Sequence, residues 1–304
     1  MEPVSNQFDT NLARLAWSLW TELGVAGLER KHQTFSVAPE ELIILTSVLS
    51  EFDPRLRDEA LDWCVRYHHL ISPIRLQILA AKYEDFIREP FSVFSATLNS
   101  IANIRTKWPV LTKVSPLKFR PSGKSMLRNF KNPSMILFRL RTFLGVGIRA
   151  DVLAFLLREK SGNFTASDLL ETGYSKRRLA QILNDLAAAE ILSQTRVRNQ
   201  LRYTLIKRNP LIKLLGSVPK NLPHWDRILA VLLPMRACLH NVEGTSIGVR
   251  VIDMRNLLSK LSHELAQVKL IPPPLQNDFE AYWKTVTAWI LNFSKSLSQG
   301  KFKN

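Results

Sequence analysis

Between residues 175 and 202 the chain collects side chains suited to grip a polyanion. They are Ser175, Lys176, Arg177, Arg178, Gln181 and Asn184, followed by Arg196, Arg198, Asn199 and Arg202. On a duplex, a guanidinium fork matches guanine O6 and N7, and a primary amide matches adenine N6 and N7. Cations and hydroxyls also serve phosphate oxygens. Leu179, Ile182, Leu183 and Leu186 recur at helical spacing through the first group, which predicts a helix over 176–190. Its leucines face a core, its polar set faces out, and Ser175 caps it. The basic residues sit at the helix start, the end that leads into a major groove.

Such a helix needs a frame. Upstream, Val152, Leu153, Leu156 and Leu157 predict a helix from Arg149 to about Lys160, stopped by Ser161-Gly162-Asn163. TASDLLETG reads as a second helix, with Thr165 as N-cap, Asp168 three residues on, and Gly173 supplying the tight turn that follows. Downstream, Val197, Leu201, Tyr203 and Leu205 give apolar positions for two strands around a turn near Arg198-Asn199-Gln200. Residues 148–206 therefore predict a winged helix-turn-helix. Helix 176–190 would enter the major groove, and the 193–206 hairpin would lie on the backbone or in the minor groove.

The stretch TASDLLETGYSKRRLAQILNDLAAAEIL, with the hairpin after it, resembles the winged-helix domains of MarR- and ArsR-type bacterial transcription regulators. The likeness covers about a fifth of the chain. It departs from the pattern at AAAEIL, where Glu190 stands in place of the usual glycine. The resemblance implies a DNA-binding regulator acting as a homodimer on two half-sites. The flanking regions resemble uncharacterised bacterial proteins, which implies no activity.

Charge agrees in place as well as in sign. The formal net charge is +16. Residues 1–100 hold 9 Lys/Arg against 14 Asp/Glu, whereas residues 101–220 hold 23 against 6. A surplus this local marks a polyanion-binding footprint rather than general solubility.

Other chemistry finds little footing. Gly123-Lys124-Ser125 looks like the end of a phosphate-binding loop, but Lys118 occupies the position of the first glycine and Pro121 removes a donor. His68 and His69 are adjacent, hence about 100° apart on a helix, and have no partner at metal-ligand spacing. Cys64 and Cys238 read as buried thiols. No catalytic constellation, metal site or cofactor is indicated, so the expectation is a protein that is not an enzyme.

The rest of the chain reads as helices, and the fold class expected is mainly α. The expected division is a helical domain over 1–109, a basic linker and lead-in helix over 110–147, the winged module over 148–206, and a helical region over 207–304. Expected helices lie at 9–23, 39–51, 53–70 and from 72, then at 86–109, 224–240, 249–268 and 277–297. Trp17 and Trp20 are expected to serve packing. MEPVSNQFDT has no features of a signal peptide and no apolar run is long enough to span a bilayer, so a cytoplasmic location without membrane contact is expected. The acidic balance of the N-terminal helices leaves room for a protein partner. The alternative function is thus an interaction module of a toxin-antitoxin or defence system that binds DNA to regulate itself.

Overall fold

The computed structural model describes residues 2–27, 35–103, 105–127, 130–159, 162–219 and 221–302. The expected helix end at Lys160 and the stop at Ser161 lie outside these.

The chain is mainly helical. Its first helices are α1 (Val4–Glu22), α2 (Pro39–Val48), α3 (Pro54–Tyr67), α4 (Pro73–Lys82) and α5 (Glu84–Ile101). Proline stands at the first position of α2, α3 and α4, where its missing N–H costs no hydrogen bond. Asp53 and Ser72 cap the latter two, accepting from the N–H of Leu56 (3.0 Å) and Arg75 (3.3 Å). After an irregular stretch come α6 (Ile136–Leu144), α7 (Ile148–Arg158) and α8 (Lys176–Ala188). Strands β1 (Leu192–Val197) and β2 (Gln200–Leu205) form an antiparallel hairpin. Then follow α9 (Arg208–Leu215), α10 (Trp225–Asn241), α11 (Ile247–Lys260), α12 (Ser262–Gln267) and α13 (Phe279–Ser298).

Apolar burial divides this chain in two. One core gathers residues of α1–α5 and α10–α13, so the helices at the two ends of the chain share an interior. Asn11 of α1 donates to Ser294 of α13 (3.0 Å), and Arg236 of α10 forks onto Asp9 of α1 (2.8 Å to each oxygen). Trp17, Trp20 and Trp63 are buried here, with indole N–H groups donating to Asp53, Thr46 and the Leu23 carbonyl. The second core belongs to residues 136–215, built by α6–α9 and the hairpin. It is an insertion between α5 and α10. Helix α6 serves both cores: Phe138 enters the first, Ile136 and Leu140 the second.

Four local expectations change. The helix predicted over 86–109 stops at Ile101, because the Asn99 side chain grips both the N–H and the carbonyl of Trp108 (2.9 Å each) and folds the chain back. TASDLLETG forms turns and a single 3₁₀ segment, Leu170–Thr172, rather than an α-helix. There the Asp168 carboxylate takes both the N–H and the hydroxyl of Thr165 (2.7 and 2.9 Å), which tightens the turn. Arg208–Leu215 is helical although no helix is expected there. The helix predicted over 249–268 breaks at Leu261 into α11 and α12.

The stretch 110–127 is irregular, yet fixed. Ser92 Oγ accepts from the N–H groups of Leu111 and Thr112, and Thr97 Oγ1 from Leu117. The Asp62 carboxylate accepts from Gly123 (2.8 Å) and Ser125 (3.1 Å), and Tyr67 Oη from Leu127 (2.9 Å). The backbone donors of Gly123 and Ser125 are thus taken by a carboxylate of the protein itself, and that of Lys124 by the Ser122 hydroxyl. These bonds hold Asp62 below the usual carboxylate range although burial works to raise it.

Candidate nucleic-acid interface

Helix α8 sorts its residues as the sequence predicts. Leu179, Ile182, Leu183 and Leu186 are buried; Ser175, Lys176, Arg177, Arg178, Gln181 and Asn184 are exposed. Ser175 Oγ accepts from the N–H of Arg178. Three cations then fill the first turn, where the helix dipole is positive and an acid is the favourable choice. Among the described residues none of the three forms an ion pair.

At its other end α8 closes through Glu190, whose φ of 54° is left-handed. The Ile191 N–H reaches back to the Leu186 carbonyl (3.0 Å) and the Glu190 N–H to that of Ala187 (3.0 Å). This is the double bond of a glycine-type C-cap made with glutamate. A glutamate at 190 in place of glycine therefore leaves the cap geometry in place, at a steric cost of about 1 kcal/mol.

The hairpin turns on Arg198-Asn199, with Val197 paired to Gln200. Arg198 is also left-handed, at φ 54°. Register decides what each arginine can reach, because successive side chains leave opposite faces of a ribbon. Gln194 lies opposite buried Tyr203, and Arg196 opposite Leu201, on one face. Tyr203 Oη donates to Asn184 Oδ1 (2.7 Å), and Gln194 Nε2 donates to the same oxygen (3.2 Å). That face therefore looks at α8, and Arg196 stands on its side. Arg198 and Asn199 form the exposed tip. Arg202 pairs with Thr195 on the opposite face, above an open cleft that Glu159, Asn163 and Asp168 help to line.

The structure thus places Ser175, Lys176, Arg177, Arg178, Gln181 and Asn184 on one helix face, with Arg196 and the tip beside it. Arg202 is set apart. The Asn184 amide oxygen is committed to bracing the hairpin. Gln194 is a member of this site that sequence reasoning did not name, and Tyr203 was read only as an apolar strand position; their role depends on register, which the apolar pattern alone leaves open. A backbone bridge between Phe164 and Tyr203 (2.8 and 2.9 Å) adds a third short segment beside β2.

The module is locked to the helical core by buried charge. Arg141 of α6, fully buried, donates to Glu40 (2.7 and 3.1 Å), Asp151 (3.1 Å) and the Leu70 carbonyl (3.0 Å). Tyr174, just ahead of α8, donates to Asp151 (2.8 Å). Burial pushes the Glu40 carboxyl up despite Arg141 beside it. Arg75 of α4 pairs with Glu41 and donates to the Thr172 carbonyl. A second knot joins Glu171 to Arg158, His224 and Arg227. Burial acts to raise Glu171, but the hydrogen bond from His224 and the neighbouring positive charges hold it at about 2.

Among the described residues no helix is long and apolar enough to cross a membrane, and no group of His, Cys, Asp and Glu is placed to hold a metal ion. No protein-family model matches the chain, and neither a curated protein nor a solved structure matches it.

Proposed function

We propose that this protein binds duplex DNA through residues 175–202 and acts as a transcription regulator. One observation carries the reading. Lys176, Arg177 and Arg178 are exposed in the first turn of α8 and, among the described residues, form no ion pair, although the helix's own field disfavours them there. An incoming phosphate turns that repulsion into attraction, because the same turn also offers unsatisfied N–H donors. Gln181, one turn on, faces out with them and can read a base edge. Arg196 and Arg198 flank the helix on a braced ribbon, suited to the backbone or to a narrow minor groove. The order of elements, with a bridge beside β2 and a hairpin after the basic helix, supports a winged-helix reading even though the middle helix is reduced to turns.

Selection of bound fragments from genomic DNA tests this directly. A recovered motif should bind with a dissociation constant on the order of 10⁻⁸–10⁻¹¹ M at physiological salt. Replacing Arg177, Arg178 and Gln181 by alanine should erase the preference over random duplex. Recovery of no motif, with the triple variant binding random duplex as the parent does, would reject the proposal. A motif of two symmetric halves would indicate two copies on the site.

A further inference from the structure

We infer that the strap 113–124 and the corner after α3 extend the interface along the phosphate backbone, outward from α8; this rests on the duplex-binding reading above. Lys113, Lys118, Arg120 and Lys124 are exposed on the strap, while Phe119 and Ser125 turn inward. Backbone bonds to Ser92, Thr97, Asp62 and Tyr67 hold this track in one shape, so little conformational entropy is lost when its cations engage a ligand. Among the described residues no ion pair neutralises these four side chains, although Glu59 lies near enough to Lys124 to feel its charge.

Contacts connect the strap to the α8 face. Leu127 bonds to Tyr67, whose ring lies under the exposed Arg66 guanidinium (5.6 Å) and 6.3 Å from the exposed ring of His69. The next residues, Leu70–Ser72, meet Arg141 and the surroundings of Tyr174, directly ahead of Ser175. Gly173 packs so closely on Ile78 of α4 that a Cβ there would come within 2.5 Å of its side chain. Arg66 and His69, exposed beside the strap, are thus tied to the Tyr174–Ser175 corner through the buried Leu70–Ser72 segment. The stretch 113–124 spans at most about 40 Å, which bounds how far it can follow phosphates from the site read by α8.

The test compares a duplex of about 15 base pairs centred on the selected motif with one of about 35, at ~3.4 Å per pair. The variant Lys118→Ala/Arg120→Ala/Lys124→Ala should bind the short duplex as the parent does and the long one at least tenfold more weakly. Its plot of log affinity against log salt on the long duplex should be shallower by about 2.7, each of three phosphate contacts being worth about 0.9. Lys260→Ala/Lys284→Ala/Lys295→Ala removes the same charge from exposed positions of α11 and α13 and should leave both duplexes unaffected. Equal loss in that control, or no loss on the long duplex in the strap variant while the Arg177/Arg178/Gln181 variant still fails to bind, overturns the extension and leaves the α8 reading standing. Parental binding by the α8 variant at both lengths overturns the α8 reading, and the extension with it.

Discussion

Arg141 and Arg177 lie in the same basic third of the chain and have opposite fates. Arg141 is buried among Glu40, Asp151 and the Leu70 carbonyl, and its charge never meets solvent. Arg177 is exposed, and among the described residues it forms no ion pair. Arg158 and Arg227 follow Arg141, both tied to Glu171; Arg178, Arg196 and Arg198 follow Arg177. One set fastens the module to the helical core, and the other stands exposed where the proposed duplex would meet it. Net charge sums the two and so overstates what a ligand can use.

The sharpest way to break this contrast is to remove one member of each set. Arg141→Met leaves Glu40 and Asp151 buried without their cation and should cost about 3–5 kcal/mol, read from chemical denaturation. Adding Glu40→Gln and Asp151→Asn should restore much of the loss, since the penalty belongs to uncompensated charge. Arg177→Ala should not destabilise the fold, and at low salt should raise its stability by no more than about 1 kcal/mol. If the two single variants unfold alike, the distinction fails.

A smaller effect follows acid. Glu171, at about 2, and Glu159, also lowered, by its hydrogen bond from His224, bind protons less readily folded than unfolded. Their contribution is fully present above the ordinary value of 4.5 and is lost as pH falls from there toward 2. Melting temperature should drop across that window, and Glu171→Gln should flatten the drop while lowering stability at neutral pH.

On the exposed side, replacing Lys176, Arg177 and Arg178 together by alanine relieves the clash with the helix dipole. Stability at low salt should rise by about 0.3–1 kcal/mol per cation while duplex binding falls. A fall in both quantities would show these side chains to be structural. The smallest effect expected is at the end of the same helix: Glu190→Gly should stabilise by about 1 kcal/mol or less, with DNA binding unchanged.

Much of the site was legible because it is local. Leu179, Ile182, Leu183 and Leu186 fix which side of α8 is buried, and so expose Arg177 and Gln181 by exclusion. The hairpin was legible from alternation, with its turn placed to within a residue. Asn184 and Arg202 were not. Their partners depend on the pairing of Gln194 with Tyr203 and of Thr195 with Arg202, and a shift of one residue would exchange the faces.

Helix periodicity, capping residues and the position of charge along the chain were set by the amino-acid order alone, since each depends on neighbours within a few residues. Tertiary structure decided the rest. It joined the first and last helices in one core, laid the 110–127 stretch over Asp62 and Tyr67, and buried Arg141 while sparing Arg177. Those outcomes turn on which distant groups can desolvate together, and local spacing carries no record of that.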